Sequence, residues 1–156
     1  MPKQLQRLTT HLAIVVLSVA SGFISPQTFA NPDGEALFNQ RCAACHQPGG
    51  VGTPGLAPPL VNARLWSGLG DQAQAYFFGV LNNGMSGTIE VNGVGYYGLV
   101  MSAQADLSDT QMLDLADYVL KDLNKLDFKS APEMLKTARS QSSAHSALRE
   151  IRKNAS

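Results

Sequence analysis

The segment Cys42-Ala43-Ala44-Cys45-His46 constrains this chain more than any other feature, because it holds both cysteines of the 156-residue sequence. Two thiols spaced in this way lie on one helical turn, where they can add to the two vinyl groups of one porphyrin. The histidine that follows them can bind the iron from one face. The CxxCH spacing therefore predicts one covalently bound haem c, attached through Cys42 and Cys45, with His46 as an axial ligand.

A CxxC pair also occurs in thioredoxin-like dithiols, in structural disulfides and in zinc sites. No parallel βαβ pattern accompanies the pair here, as a thioredoxin-like motif would require. The sequence also lacks a second pair of cysteines that would complete a zinc site. We therefore favour haem attachment and keep a haem-free CxxC redox protein as an alternative.

The first 30 residues predict a cleaved secretory signal peptide. Lys3 and Arg7 supply its positive start, a 13-residue apolar run covers residues 12–24, and Ala30 suits cleavage before Asn31. The run is shorter than the roughly 20 residues that span a bilayer, although an uncleaved membrane anchor stays open. In an oxidising compartment two free thiols tend toward a disulfide, which thioether formation prevents. We therefore expect the mature chain in a bacterial periplasm.

The charge distribution divides the rest of the chain into an acidic body and a basic tail. Residues 31–128 carry four basic and ten acidic side chains, a balance of −6, whereas residues 129–156 carry six basic and two acidic ones, a balance of +4. We predict one domain over residues 31–128, followed by a basic tail over residues 129–156 that is partly helical or disordered. Both a solvated tail without a docking site and a basic arm that contacts a partner or the acidic body remain open.

Helices are predicted before the motif and near the end of the body. Asn31-Pro32-Asp33 suits a helix start, with Asp33 as a cap, and Phe38 lies on an apolar face ahead of the cysteines. Ser108-Asp109-Thr110-Gln111 forms a capping box. Apolar residues recur at helical spacing from there to about Asn124, which predicts an amphipathic helix.

Between these helices the sequence predicts a long loop, a helix and a hairpin. Residues 47–60 are too rich in Gly and Pro for regular structure. A helix is predicted from Gly70-Asp71 to Asn82-Asn83-Gly84, an ending that supplies left-handed conformations. Residues 88–97 alternate about Asn92-Gly93, which predicts a β-hairpin with a type I′ turn.

From Gly34 to Leu123 the sequence resembles the mono-haem class I c-type cytochromes that Gram-negative bacteria secrete. Residues 34–38 match the N-terminal helix of that family, in which a glycine and an aromatic residue pack across the C-terminal helix. Leu115 and Tyr118 stand where that helix would meet them. The resemblance implies an all-α cytochrome c fold, with about three to four helices around one covalently bound haem and a small β-hairpin insertion.

The resemblance also assigns a partner to His46. Ala57-Pro58-Pro59-Leu60 resembles the proline turn whose carbonyl accepts a hydrogen bond from the second nitrogen of the axial histidine. Such a bond fixes the imidazole and raises its basicity. Pro58, twelve residues after His46, is the better match, and Pro59 remains an alternative.

The sixth iron ligand is expected to be a methionine. His11 lies in the leader and His145 in the tail, so a thioether is the remaining soft ligand, from Met85, Met101, Met112 or Met134. Similar cytochromes place this methionine six residues before a Leu-Ser-Asp that opens the last helix, here Leu107-Ser108-Asp109, which implies Met101. Two departures concern the local loop: Ser102 replaces the usual proline, and one extra residue follows Gly98. Met85 is the alternative ligand.

Two further sets of residues are predicted around the haem. The candidates for its apolar pocket are Leu60, Leu65, Phe77, Leu81, Leu99 and Met112. The candidates for hydrogen bonds to its propionates are Arg64, Trp66, Tyr96 and Tyr97.

A haem iron with histidine and methionine on its two faces has no open position for a substrate, so the expected activity is one-electron transfer rather than enzymatic catalysis. By resemblance, the partners are a periplasmic dehydrogenase as donor and a terminal oxidase or another cytochrome as acceptor, in transient docking steered by charge. The role of cytochrome subunit in a dehydrogenase complex is a variant of this prediction. A haem-based sensor or peroxidase-like enzyme with a displaceable methionine is the alternative from another class, and nothing indicates nucleic-acid binding.

Overall fold

A computed structural model describes residues 32–156 of the chain, except the side chain of Leu99 and those of Pro32 and Asp33. The predicted signal peptide, residues 1–30, lies outside the described residues, and so does the side chain of Asp33, the predicted cap, whose backbone lies within the first helix. The helices are α1 (Pro32–Arg41), α2 (Ala43–His46), α3 (Ala63–Leu69), α4 (Ala73–Asn83), α5 (Asp109–Ala116), α6 (Pro132–Ser140) and α7 (His145–Ala155). Strands β1 (Met85–Val91) and β2 (Val94–Met101) form a two-stranded antiparallel sheet. None of the described helices is both long and apolar enough to cross a membrane.

The crossing of α1 and α5 confirms the packing that the family resemblance implies. A Cβ atom at Gly34 would lie 2.5 Å from the carbonyl oxygen of Asp114 and 3.0 Å from the Cβ of Tyr118. One turn later Phe38 is fully buried, and its ring centroid lies 5.3 Å from that of Tyr118. Only glycine allows the two backbones to approach this closely, because any larger side chain would force the helices apart.

The capping box at the start of α5 is confirmed by both of its hydrogen bonds. The amide of Gln111 donates to the Ser108 hydroxyl at 3.2 Å, and the amide of Ser108 donates to the Gln111 side chain at 2.9 Å. Beyond α5 the helix continues with π-helical pairing over Asp117–Leu123, which the sequence did not predict. It ends at Asn124 as expected, and the side chain of Asn124 donates to the carbonyl of Leu60 at 2.8 Å.

The central region contains one helix more than the sequence predicts. The short helix α3 begins where the Asn62 side chain accepts a hydrogen bond from the amide of Leu65 at 3.0 Å. Its seven residues include Gly68, so its pattern is too brief to recognise. The predicted helix begins slightly later, as α4, and ends at Gly84 with a φ of 74°, which confirms the predicted stop.

The hairpin is confirmed, and it is longer than predicted. Its turn residues Asn92 and Gly93 have φ values of 52° and 77°, the left-handed conformations that a type I′ turn requires. Pairing continues past an irregularity between Gly87 and Ile89 until Met85 lies opposite Met101. The sequence placed Met101 in a loop beyond the hairpin, and it is instead the last residue of β2.

The C-terminal segment, predicted to be partly helical or disordered, forms two helices that pack against the rest of the described chain. Helix α6 packs against α4 and α5, and α7 packs against α3, α4 and β1. Leu135 and Leu148 are 1% and 2% exposed, so both belong to the core. Arg139 donates to the carboxylate of Asp109 at 3.1 Å. The alternative of a basic arm that contacts the acidic body describes this segment better, while the domain boundary at residue 128 stays a prediction.

Candidate functional site

The CxxCH motif spans the junction of α1 and α2 and lines one cavity with all three of its chemical groups. The amide of Cys42 donates to the carbonyl of Phe38 at 2.8 Å, and the amide of His46 donates to the carbonyl of Cys42 at 2.9 Å, so the motif forms one turn. Cys45 is exposed and Cys42 is half-buried. Burial raises the pKa of the Cys42 thiol to about 11, although Arg41 acts in the opposite direction.

His46 is buried and is held as a neutral imidazole. Its Nδ1 lies 2.9 Å from the carbonyl oxygen of Pro58, which can only accept, so the Nδ1–H donates; in the neutral ring the lone pair is then on Nε2. Burial lowers the pKa of His46, while the bond to Pro58 raises it and the charge of Arg152 lowers it further. The partner of the histidine is thus Pro58, which the family resemblance favoured over Pro59. Imidazole in this form is a ligand for iron.

The loop of residues 47–60 carries Pro58 and is ordered by its own backbone. The amide of Gly52 donates to the carbonyl of His46 at 2.7 Å, and Thr53 and Ala57 pair as an isolated bridge. The Thr53 hydroxyl donates to the carbonyl of Cys45 at 3.1 Å. Gly52 has a φ of 77°, and a Cβ there would lie 2.6 Å from the nitrogen of Pro59. The loop can therefore fold back on the motif only with glycine at this position.

Two methionines on the hairpin line another wall of the cavity. Met85 and Met101 are directly opposed across the sheet, so their side chains project from the same face. Both line the cavity; Met85 is 4% exposed and Met101 is half-buried. Met112 lies in the core and Met134 lies on the surface. The structure thus brings the expected ligand Met101 and its alternative Met85 to the same cavity as His46.

Gly84 allows the chain to approach Met101 closely. It has a left-handed φ of 74°, and a Cβ on it would overlap the carbonyl oxygen of Met101. Just beyond Met101, the amide of Gln104 donates to the carbonyl of Leu81 at 2.7 Å. Arg41 donates to the carboxylate of Asp106 at 2.6 Å, a bond that lowers the pKa of Asp106. The segment after Met101 is therefore attached to α4 and α1.

The cavity has a volume of about 260 Å³ and a mostly apolar lining. Besides Pro58 and the two methionines, its apolar residues are Phe38, Leu56, Ala57, Leu60, Trp66, Tyr76, Phe77, Val80, Leu81, Ile89, Val100, Leu115 and Val119. Three of the predicted pocket residues, Leu60, Phe77 and Leu81, are in this set. Leu65 and Met112 are instead buried elsewhere in the core, and the side chain of Leu99 lies outside the described residues.

Of the four predicted propionate donors, Trp66 lines the cavity and the other three do not. Arg64 and Tyr97 are exposed, and Tyr96 is buried away from the cavity. Trp66 lines the cavity, but its Nε1–H already donates to the carbonyl of Leu60 at 2.7 Å.

One cationic group lines the cavity without an acidic partner among the described residues, and no sequence motif selects it. This group is Arg152 of α7, which is 6% exposed. Its Nε and Nη2 atoms have no hydrogen-bond partner within residues 32–156. Only the predicted basic character of the tail pointed in this direction.

Together these groups fit haem c. An unprotonated imidazole nitrogen and a thioether suit iron, two adjacent thiols suit the vinyl groups, and the apolar lining suits the macrocycle. An unpaired buried guanidinium suits a carboxylate. The family model for cytochrome c matches residues 32–122. The chain belongs to the cytochrome c family.

Two curated relatives are cytochromes c-552 from Thermus thermophilus. The first is 37% identical over 90 residues, which cover 58% of this chain and 60% of the relative. The second is 37% identical over 87 residues, which cover 56% of this chain and 65% of the relative. The matches thus cover about 60–65% of the length of these relatives. Membership in the cytochrome c family implies covalently bound haem c, and the family match ends before α6 and α7.

Proposed function

We propose that this cytochrome c is an electron carrier in which His46 and Met101 are the two axial ligands of a single haem c. The observation that carries the proposal is that a neutral, hydrogen-bonded imidazole and a methionine of the hairpin line one apolar cavity beside two cysteines. When bound, the haem supplies a one-electron couple. With both axial positions filled by the chain, no position is left for a substrate.

Each residue of the site has a separate task in this proposal. Cys42 and Cys45 hold the haem covalently, and Pro58 orients His46 and raises its basicity through the Nδ1–H bond. The thioether of Met101 stabilises the ferrous state and so raises the reduction potential. The apolar lining excludes water, which limits solvent reorganisation during electron transfer.

Met101 is preferred to Met85 for two reasons. Met85 is 4% exposed and belongs to the buried core cluster, whereas Met101 packs at the border of that cluster. In addition, Met101 stands six residues before Leu107, as the ligand does in similar cytochromes. The attachment of the following segment to α1 and α4 supports a fixed position for this side chain.

The surroundings of the cavity suit transient docking of a redox partner. Leu56 and Val100 line the cavity and are 58% and 79% exposed, so the cavity opens to solvent beside them. An exposed apolar rim on an acidic body suits brief contact with a partner that carries a basic patch. A dehydrogenase donor and an oxidase or cytochrome acceptor have this role in our proposal, and the predicted signal peptide supports export.

Spectropotentiometric titration of the full-length protein, produced in a host that matures haem c, tests the proposal. We expect one haem per chain and a reversible one-electron couple, with a slope of about 59 mV per tenfold change in the oxidised-to-reduced ratio. A protein without covalent haem would refute the proposal. A reduced form that reacts with peroxide at catalytic rates would favour the peroxidase-like alternative.

A further inference from the structure

The proposed function leaves the buried charge of Arg152 unexplained. The side chain is 6% exposed and lines the same cavity as His46. Its Nη1 lies 3.5 Å from the hydroxyl oxygen of Tyr76, a long contact, while Nε and Nη2 have no hydrogen-bond partner in the part of the chain that the structure describes. A guanidinium keeps its charge in proteins, and burial of a charge without a counter-ion is strongly unfavourable. A group at this position therefore has to supply negative charge.

The described part of the chain does not supply that charge. No aspartate or glutamate is among the described residues that line the cavity. Arg41, the other cation of the lining, is paired with Asp106 at 2.6 Å. The remaining ion pairs found within residues 32–156 involve Lys121, Lys136 and Arg139, and none involves Arg152.

We propose that Arg152 binds a propionate of the haem, with the Tyr76 hydroxyl as a second donor to that carboxylate. The inference rests on the proposed function, since the haem brings the carboxylate into the cavity. A guanidinium is suited to this role because its parallel N–H groups match the two oxygens of a carboxylate. The two donors Nε and Nη2, which lie on one edge of the guanidinium, are the two atoms without a partner.

Helix α7 is fixed in a way that determines where Arg152 lies. At its start, His145 donates through Nε2 to the carbonyl of Asn83 at 3.0 Å and accepts at Nδ1 from the Ser86 hydroxyl at 2.7 Å. At its end, a Cβ on Gly68 would overlap the carbonyl oxygen of Ala155, so α3 and α7 are in direct backbone contact. The guanidinium is therefore placed by a helix anchored at both ends.

This placement gives the C-terminal helices a function that the cytochrome c match does not assign, since the match ends at residue 122. The tail closes the cavity with a cation that is compensated only when the haem is present. Haem incorporation and docking of α7 are therefore coupled.

The pH dependence of the reduction potential of the holoprotein tests the inference. In the wild type the nearby cation keeps the propionate ionised, so we expect a flat profile between about pH 5 and pH 8. In R152M the propionate loses this cation, so we expect it to bind protons about tenfold more tightly and its acid dissociation constant to fall by the same factor. Protonation then removes a negative charge near the iron, and the potential of R152M rises as the pH falls through this range.

Two variants serve as controls. R152K restores the cation and is expected to flatten the profile again. K153M removes the same charge from the exposed neighbouring position of α7, and we expect it to behave like the wild type.

Two other groups respond to Arg152. Burial raises the pKa of Tyr76 and lowers that of His46, and the charge of Arg152 lowers both pKa values. Burial keeps the pKa of Tyr76 above this pH range, and His46 would be bound to iron in every holoprotein, so we expect neither to titrate between about pH 5 and pH 8. Arg41 and His145 are unchanged in all variants.

The outcomes separate this inference from the proposed function. A wild type without covalent haem overturns both. A haem-loaded R152M with the wild-type profile overturns this inference alone. A flat wild-type profile that is lost when buffer anions are removed also overturns it, because Arg152 would then bind a free anion. If hydrogen exchange shows that α7 is released in R152M, R152K is the deciding variant. Docked α7 and a flat pH profile of the potential in R152K support the inference, whereas a released α7 in R152K overturns it.

Discussion

Replacing Met101 with alanine is expected to remove the methionine-to-iron charge-transfer band of the oxidised protein and to lower its reduction potential. The thioether stabilises the ferrous state, and axial ligands set haem potentials over about 0.8 V, so we expect a decrease on the order of 0.1 V or more. The covalent haem itself is retained, because Cys42 and Cys45 are unchanged. Near-infrared absorption and spectropotentiometry measure the two effects.

Met85 provides the matched control for this experiment. It is opposite Met101 in the hairpin and lines the same cavity, so Met85→Ala removes an equal side chain from the same wall. We expect this variant to keep the charge-transfer band and to lose about 2–5 kcal/mol of stability, as usual for truncation of a buried methionine. A band that survives in Met101→Ala and disappears in Met85→Ala would reverse the ligand assignment.

The double replacement of Cys42 and Cys45 by serine is expected to abolish covalent haem attachment altogether. Serine is nearly isosteric with cysteine but forms no thioether with a vinyl group, so no haem remains with the polypeptide after denaturation. The apolar cavity then lacks the group that fills it, and we expect the chain to unfold or to be degraded in the host. Haem staining of a denaturing gel gives the first result, and circular dichroism of any recovered protein gives the second.

The single variants refine this prediction. Cys42→Ser and Cys45→Ser each leave one thioether, so each should retain stainable haem at a reduced yield. Full staining of the double variant would show that the motif does not attach the haem and would contradict the assignment of both cysteines.

Features encoded in short segments could be predicted from the sequence. The capping box at Ser108 and the positive φ values of Asn92 and Gly93 depend on neighbouring residues alone. The crossing at Gly34 followed from the family resemblance, which also identified the hydrogen bond from His46 to Pro58.

Features that depend on distant partners could not be predicted. The apolar stripe on α6 and α7 is too thin to indicate docking. The packing of α7 depends on Gly68 of α3 and Gly79 of α4, which leave space for Ala155 and Leu148 of α7. For the same reason the sequence does not reveal that the indole N–H of Trp66 donates to the carbonyl of Leu60. Arg152 lies more than a hundred residues from the motif whose cavity it lines, and no local pattern distinguishes it from the other basic residues of the tail.

The central claim is that the chain fills both axial positions of the iron, so that the protein transfers electrons and binds no substrate there. Carbon monoxide, added to the fully reduced wild-type holoprotein at neutral pH, tests this claim most directly, because it binds ferrous haem only at an open or easily vacated position. We expect an unchanged visible spectrum in the wild type and a carbon monoxide complex in Met101→Ala. Prompt and stoichiometric formation of that complex in the wild type would contradict the claim.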